Sequence, residues 1–71
     1  MIIDDNEKFI RLDEVVQKTS LSKSVIYELM DEGNFPPSIS LRPRTRAWLF
    51  GEVVAWMDAR IRERDHRLRG R

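Results

Sequence analysis

The sequence predicts one small α+β domain, mostly helical, on three observations. Two short stretches of helical periodicity sit close together near the amino end. A polar/apolar alternation with a tight arginine-rich turn follows them. A third helical stretch closes the chain. Seventy-one residues leave no room for a second domain. A chain this short buries only about 60% of its unfolded surface, so the core is thin.

Residues 1–8 are acidic, lack periodicity and read as a flexible arm. Lys8-Phe9-Ile10-Arg11-Leu12 alternates imperfectly and reads as one short strand. Asp13 then offers an N-cap oxygen, and Leu12, Val15 and Val16 lie at helical spacing, which predicts a first helix over 13–18. Thr19-Ser20 interrupts it.

Ser22 is the best cap in the sequence, because its oxygen can accept the orphan amides of the residues two or three positions on. The helix after it carries Leu21, Val25, Ile26, Leu29 and Met30 on one side and Lys23, Ser24, Tyr27, Glu28 and Asp31 on the other. Gly33-Asn34 ends it, since glycine accepts a left-handed conformation, and Pro36-Pro37 prevents a restart. Ser38-Ile39-Ser40-Leu41-Arg42 and Arg46-Ala47-Trp48-Leu49-Phe50 read as two strands of a hairpin, with Trp48 and Phe50 on one face. Gly51-Glu52 opens a last helix with Val53, Val54, Met57 and Ile61 at helical spacing and Trp56 beside them. The order is a helix-turn-helix followed by a two-stranded wing and a C-terminal helix. The domain is set at 9–64, with 65–71 a basic tail.

Composition excludes several functions. Without cysteine there is no disulfide and no zinc–thiolate cluster, and the lone His66 cannot build a multi-histidine metal site or a catalytic triad. No phosphate-cradling glycine loop occurs. The reading is therefore no enzyme, no metal and no cofactor, and no small-molecule substrate. The longest apolar run, Val53–Met57, is far short of the ~20 residues of a membrane span. Met1-Ile2-Ile3-Asp4-Asp5 carries no signal-peptide pattern, which gives the expectation of a soluble intracellular domain.

The charge is unevenly divided. Residues 1–35 hold four bases and eight acids, a net −4, and residues 36–71 hold nine arginines and four acids, a net +5. Ten of the thirteen bases are arginine, whose planar fork binds phosphate and guanine edges bidentately. Three constellations use this bias. Ser22, Lys23, Ser24 and Tyr27, early on the exposed face of the second helix, suit a helix that enters a major groove amino end first. Arg42, Arg44 and Arg46, on alternate positions around a turn stiffened by Pro43, project to one side and suit a phosphate backbone or a narrow minor groove. Arg60, Arg64, Arg67 and Arg71 form a stripe on a continued helix, with Glu63–Arg67 and Asp65–Arg69 as i,i+4 pairs; this stripe suits either phosphates or plain solvation. Trp48 and Trp56 read as core rather than as base-stacking platforms.

These residues resemble a known family. Arg11-Leu12-Asp13-Glu14-Val15-Val16, Thr19-Ser20-Leu21-Ser22-Lys23-Ser24-Val25-Ile26-Tyr27 and Met30-Asp31-Glu32-Gly33-Asn34-Phe35-Pro36 are similar to the AlpA family of small prophage-associated regulators. These are related to phage excisionases and to the winged domain of MerR-type regulators. Arg46-Ala47-Trp48 and Glu52-Val53-Val54-Ala55-Trp56 fit as well, so the resemblance spans roughly 9–58. It implies a winged helix-turn-helix that binds duplex DNA in a bacterial cytoplasm, associated with the nucleoid when bound. Such proteins activate integrase or excision genes, or direct excision architecturally at attachment sites. Carried over by position, Ser22, Lys23, Ser24 and Tyr27 belong to the recognition helix and Arg42, Arg44 and Arg46 to the wing. Integrase and further copies of the chain are the implied protein partners. The turn departs from the family in lacking glycine. A protein-interaction module (an antirepressor that meets a repressor or integrase) stays open as the reading of a different class.

Overall fold

The computed structural model describes residues 7–70. Its elements are β1 (Phe9–Ile10), α1 (Leu12–Thr19), α2 (Lys23–Asp31), β2 (Ile39–Arg42), β3 (Thr45–Leu49) and α3 (Phe50–Arg69). The strands form one antiparallel sheet in the order β1-β3-β2, with β3 in the middle. The acidic arm expected at 1–8 lies outside the described residues except for Glu7 and Lys8. At Lys8 the chain is fastened, because its carbonyl accepts the Phe50 N–H at 2.9 Å.

The core takes one side chain from nearly every segment. Ile10 of β1, Val15 of α1, Ile26 of α2, Phe35 of the following loop, Trp48 of β3 and Val53 of α3 form the buried cluster. Leu12, Val16, Leu21, Leu29, Met30, Phe50, Trp56 and Met57 pack around it. Trp56 is tied down at the edge: its Nε1–H donates to the Asn34 carbonyl at 2.6 Å, and Phe35 meets its ring edge-on at 4.9 Å. β2 contributes nothing to this cluster, so the wing stands out from the core and is held through its ladder with β3.

The turn between α1 and α2 is three residues, Ser20 to Ser22. Ser20 ends α1 in the left-handed region, φ 64°, with its N–H on the Val16 carbonyl. The Thr19 hydroxyl braces the turn, donating to the Val15 carbonyl at 2.8 Å and accepting from the Leu21 N–H at 3.2 Å. α2 ends as the sequence indicates. Gly33 at φ 76° sends its N–H to the Met30 carbonyl, and Asn34 sends its own to Leu29, which is a Schellman closure.

Four expectations are corrected. The N-cap of α1 is Arg11, without a side-chain cap; the Asp13 carboxylate instead accepts the Glu14 N–H. Phe50 starts α3, with Leu49 as its N-cap, instead of extending β3. Its ring is half-buried and carries the Lys8 and Lys18 ammonium groups, each 5.4 Å from its centre. Val54 faces solvent because Val53, Trp56 and Met57 take the core side of α3, and Ile61 faces solvent because α3 leaves the core after Met57. Finally, the acids of α3 take different partners from the expected i,i+4 pairs. Arg60 pairs with Glu63, Arg62 with Asp58 at 2.8 Å, and Arg64 with Asp65 at 2.9 Å. The helix runs unbroken to Arg69, past the position where a tail was expected to begin, and Arg71 of the expected stripe lies outside the described residues.

Ser20 and Gly33 hold nearly the same backbone angle with opposite consequences. A left-handed residue with a Cβ costs roughly 1–2 kcal/mol, and glycine does not bear that cost. Ser20→Gly is expected to raise the unfolding free energy by about 0.5–1 kcal/mol. Gly33→Ala is expected to lower it by about 1 kcal/mol although open space surrounds the added methyl. Urea denaturation of both variants checks the pair.

Candidate nucleic-acid interface

The exposed face of α2 begins at its cap. The Ser22 hydroxyl oxygen accepts the Val25 N–H at 3.2 Å, which consumes one orphan donor of the first turn. Ser22, Lys23, Ser24 and Tyr27 are all exposed, while Ile26 on the opposite side is fully buried. The first turn of α2 holds no acid, and Glu28 and Asp31 lie further along. The amino end of this helix is therefore its electropositive end. Burial of Ile26 fixes the rotation of α2, and so decides which residues point outward.

The wing turns at Pro43-Arg44. Proline pre-sets the first turn position, and Arg44 takes the second with φ 64°, a place where glycine is ordinarily found. In β3, Arg46 and Trp48 alternate onto one side, and Arg44 stands in the turn just before the strand. Arg46 pairs with Ser40, and its Nη1 donates to the Ser38 Oγ at 3.3 Å. Arg42 pairs with Thr45, because an irregularity between Ser40 and Arg42 shifts the register. A one-residue shift moves a side chain to the other face of a strand pair. Arg42 therefore stands apart from Arg44 and Arg46, so the expectation that all three project to one side is corrected at Arg42.

Tyr27 of α2 and Arg44 and Arg46 of the wing line one cleft of about 290 Å3, together with Arg11, Leu12 and Trp48. The second helix and the wing thus share a face. Tyr27 is 43% exposed, enough to present its hydroxyl there. The ion pairs of Arg60, Arg62 and Arg64 lie on α3, and among the described residues Lys23, Arg42, Arg44 and Arg46 are in no such pair. The cationic half of the sequence is in this way two regions, a helix on which Arg60, Arg62 and Arg64 are paired with acids and a wing without such pairs. Arg11 was not among the expected site residues. Its sequence signal was slight, a single base between a short strand and a helix, although it heads the first family-like stretch. His66 stands on α3 with no group of three or more metal-ligating side chains near it or elsewhere among the described residues. No described helix is long and apolar enough to cross a membrane.

A short helix pair joined by a three-residue turn, a wing on the adjoining β-hairpin and a shared cationic face define a winged helix-turn-helix protein. Residues 8–61 match the family described as prophage CP4-57 regulatory protein (AlpA). The chain belongs to that family of phage regulatory proteins. It is also 51% identical over 55 residues to an uncharacterized protein, ORF88, of Enterobacteria phage P4. That match covers 78% of this chain and 62% of the phage protein, so the chain spans about three-fifths of its relative's length.

The cap at Ser22 can be separated from its neighbourhood. Ser22→Ala is expected to lower stability by about 1 kcal/mol through loss of the Val25 bond. Ser22→Asp retains the cap and is expected to stay within about 0.5 kcal/mol of the parent. Thermal and urea melts distinguish the two outcomes.

Proposed function

We propose that this chain is a sequence-specific DNA-binding regulator of a prophage or integrative element, controlling transcription of integrase or excision genes. In this reading α2 enters a major groove, with Ser22, Lys23, Ser24 and Tyr27 at base edges and phosphates. Arg44 and Arg46 hold the adjacent backbone or minor groove, and Arg42 meets phosphate from the other side of the wing. The observation that carries the reading is the single cleft lined by Tyr27 from α2 and by Arg44 and Arg46 from the wing. Membership of a prophage regulatory family supports the genetic setting. A DNA ligand puts the site of action in the bacterial cytoplasm, at the nucleoid when bound. The chemistry is recognition, not catalysis.

A second reading is architectural, an excisionase acting at attachment sites with integrase or further copies of itself. It is favoured by the carboxyl half of α3, which stands clear of the core and exposes Ile61 and Leu68. An antirepressor that binds a repressor or integrase through the acidic first half is the alternative without DNA.

Fluorescence anisotropy on duplexes from the attachment and promoter region of the element tests the proposal. About five phosphate contacts give a log–log salt slope of roughly −4 to −5, and a scrambled duplex binds more weakly. Ser22→Asp, which keeps the helix cap, is expected to lose tenfold or more in affinity by placing a carboxylate against the duplex. Lys23→Ala is expected either to weaken all duplexes alike, as a phosphate contact does, or to relax the sequence preference, as a base contact does. Salt-independent binding, or equal binding by Ser22→Asp, excludes α2 as the inserted helix. Retained capture of a repressor by a chain that binds no duplex favours the antirepressor.

A further inference from the structure

We propose that the cleft between α2 and the wing is a seat for one backbone phosphate of the DNA strand, closed on its third side by Arg11. This deepens the DNA-binding reading and rests on it. Arg11 immediately precedes α1, Arg44 is the turn residue of the wing, and Arg46 lies on β3. These three separate places bring three arginines to the lining of one concavity of about 290 Å3. Its lining holds no carboxylate. Like charges gathered this closely repel one another unless an anion lies between them. A diester phosphate has the acceptor oxygens and the single charge that guanidinium forks match.

Two further residues belong to the same lining. Tyr27, a half-exposed residue on the α2 side of the lining, carries a neutral hydroxyl donor. Trp48 is fully buried beneath it, and the Trp48 Nε1–H is the one buried side-chain donor among the described residues without an acceptor. Buried donors nearly always find partners, and the donors of this lining are otherwise all cationic or hydroxylic. The lining thus offers arginine and tyrosine donors to an anion and opposes it with no carboxylate. Arg46 is held in place by its bond to Ser38, and Arg44 by its left-handed backbone beside Pro43. The Arg46 side chain and the Arg44 backbone are thus placed before the ligand arrives, which lowers part of the ordering cost of binding.

Because the three arginines serve one phosphate, their effects on affinity and on counterion release differ. Arg11→Gln, Arg44→Gln and Arg46→Gln are each expected to weaken duplex binding by about tenfold, equally for matched and scrambled sites. The triple variant is expected to flatten the salt slope by only about 0.9, the value for one phosphate. Three arginines on three separate phosphates would flatten it by about 2.7, and that result overturns the proposal. Scanning the duplex with single neutral methylphosphonates gives an independent reading. One linkage is expected to cost the wild type about tenfold and to cost the triple variant nothing; a scan without such a linkage overturns the seat. Arg62→Gln on α3, where Arg62 is paired with Asp58, serves as the control and is expected to bind as the wild type does. Circular dichroism confirms folding of each variant, since all of the substituted side chains are exposed.

Wild-type affinity is expected to be equal in chloride and in inorganic phosphate buffers of matched ionic strength. Loss of DNA binding confined to the phosphate buffer would assign the cleft to the free ion and overturn the DNA seat. A wild type that binds no duplex overturns both this inference and the DNA-binding reading. A wild type that binds, with a triple variant of unchanged affinity and slope, overturns this inference alone.

Discussion

The fold depends on burying one indole in the middle of a three-stranded sheet. Trp48 sits on the central strand β3, fully inaccessible, opposite Ile10 of β1. Removing a tryptophan side chain from water takes away roughly 150–250 Å2, an upper value of about 4–6 kcal/mol before ordering costs. In a domain this small, that is comparable to the entire net stability. The other buried side chains, Ile10, Val15, Ile26, Phe35 and Val53, each anchor a different segment around it. The same residue forms the floor of the cationic cleft. Packing and recognition therefore meet at one side chain, and whatever displaces the ring displaces Arg46 on the strand that carries it.

Charge distribution follows from secondary structure more than from composition. On α3, acids and bases one, three or four residues apart reach each other along the helix surface, and Arg60, Arg62 and Arg64 are neutralised locally. Such exposed pairs contribute little to stability, at most about 1 kcal/mol each. They do weaken the positive field of the middle of that helix, leaving Arg67 and Arg69 at its carboxyl end. On the wing, residues alternate between faces and the turn contains no acid, so Arg44 and Arg46 keep their full charge. An arginine-rich chain with a net charge of only +1 thus directs its field through a few side chains.

Much of this was legible in the sequence because it is local. The Ser22 cap, the Gly33 terminus and the hairpin around Pro43 each depend on chemistry within a few residues, and each lies where the sequence puts it. The misreadings arise where distant segments decide. Phe50 alternates correctly for a strand, yet the Lys8 carbonyl captures its N–H, and the chain turns into α3 there. Arg11 joins the cleft only because β1 pairs with β3, some forty residues away, and a two-residue strand carries too little pattern to announce its partner. Arg42 reads as one of three equivalent arginines until a register shift of one residue separates it from the others. Face and partner are properties of the pairing, not of the residue.

The wing also shows how a small domain can hold a turn rigid without glycine. A proline followed by a left-handed arginine is a strained order, since the Cβ of Arg44 opposes its backbone angle. Glycine there would relax the turn, but would remove a guanidinium from the rim of the cleft. The strain persists because the surrounding ladder determines it: Arg42 pairs with Thr45 directly across the turn, and the Ser40 hydroxyl donates to the Arg42 carbonyl. β2 makes no contribution to the buried cluster, so this ladder is nearly all that orients the wing. A flexible tip would have to be ordered on every encounter with a ligand, at a cost of about 0.5–1.5 kcal/mol for each long side chain immobilised. Holding Arg44 strained but fixed moves part of that cost from binding to folding, where the burial of Trp48 offsets it.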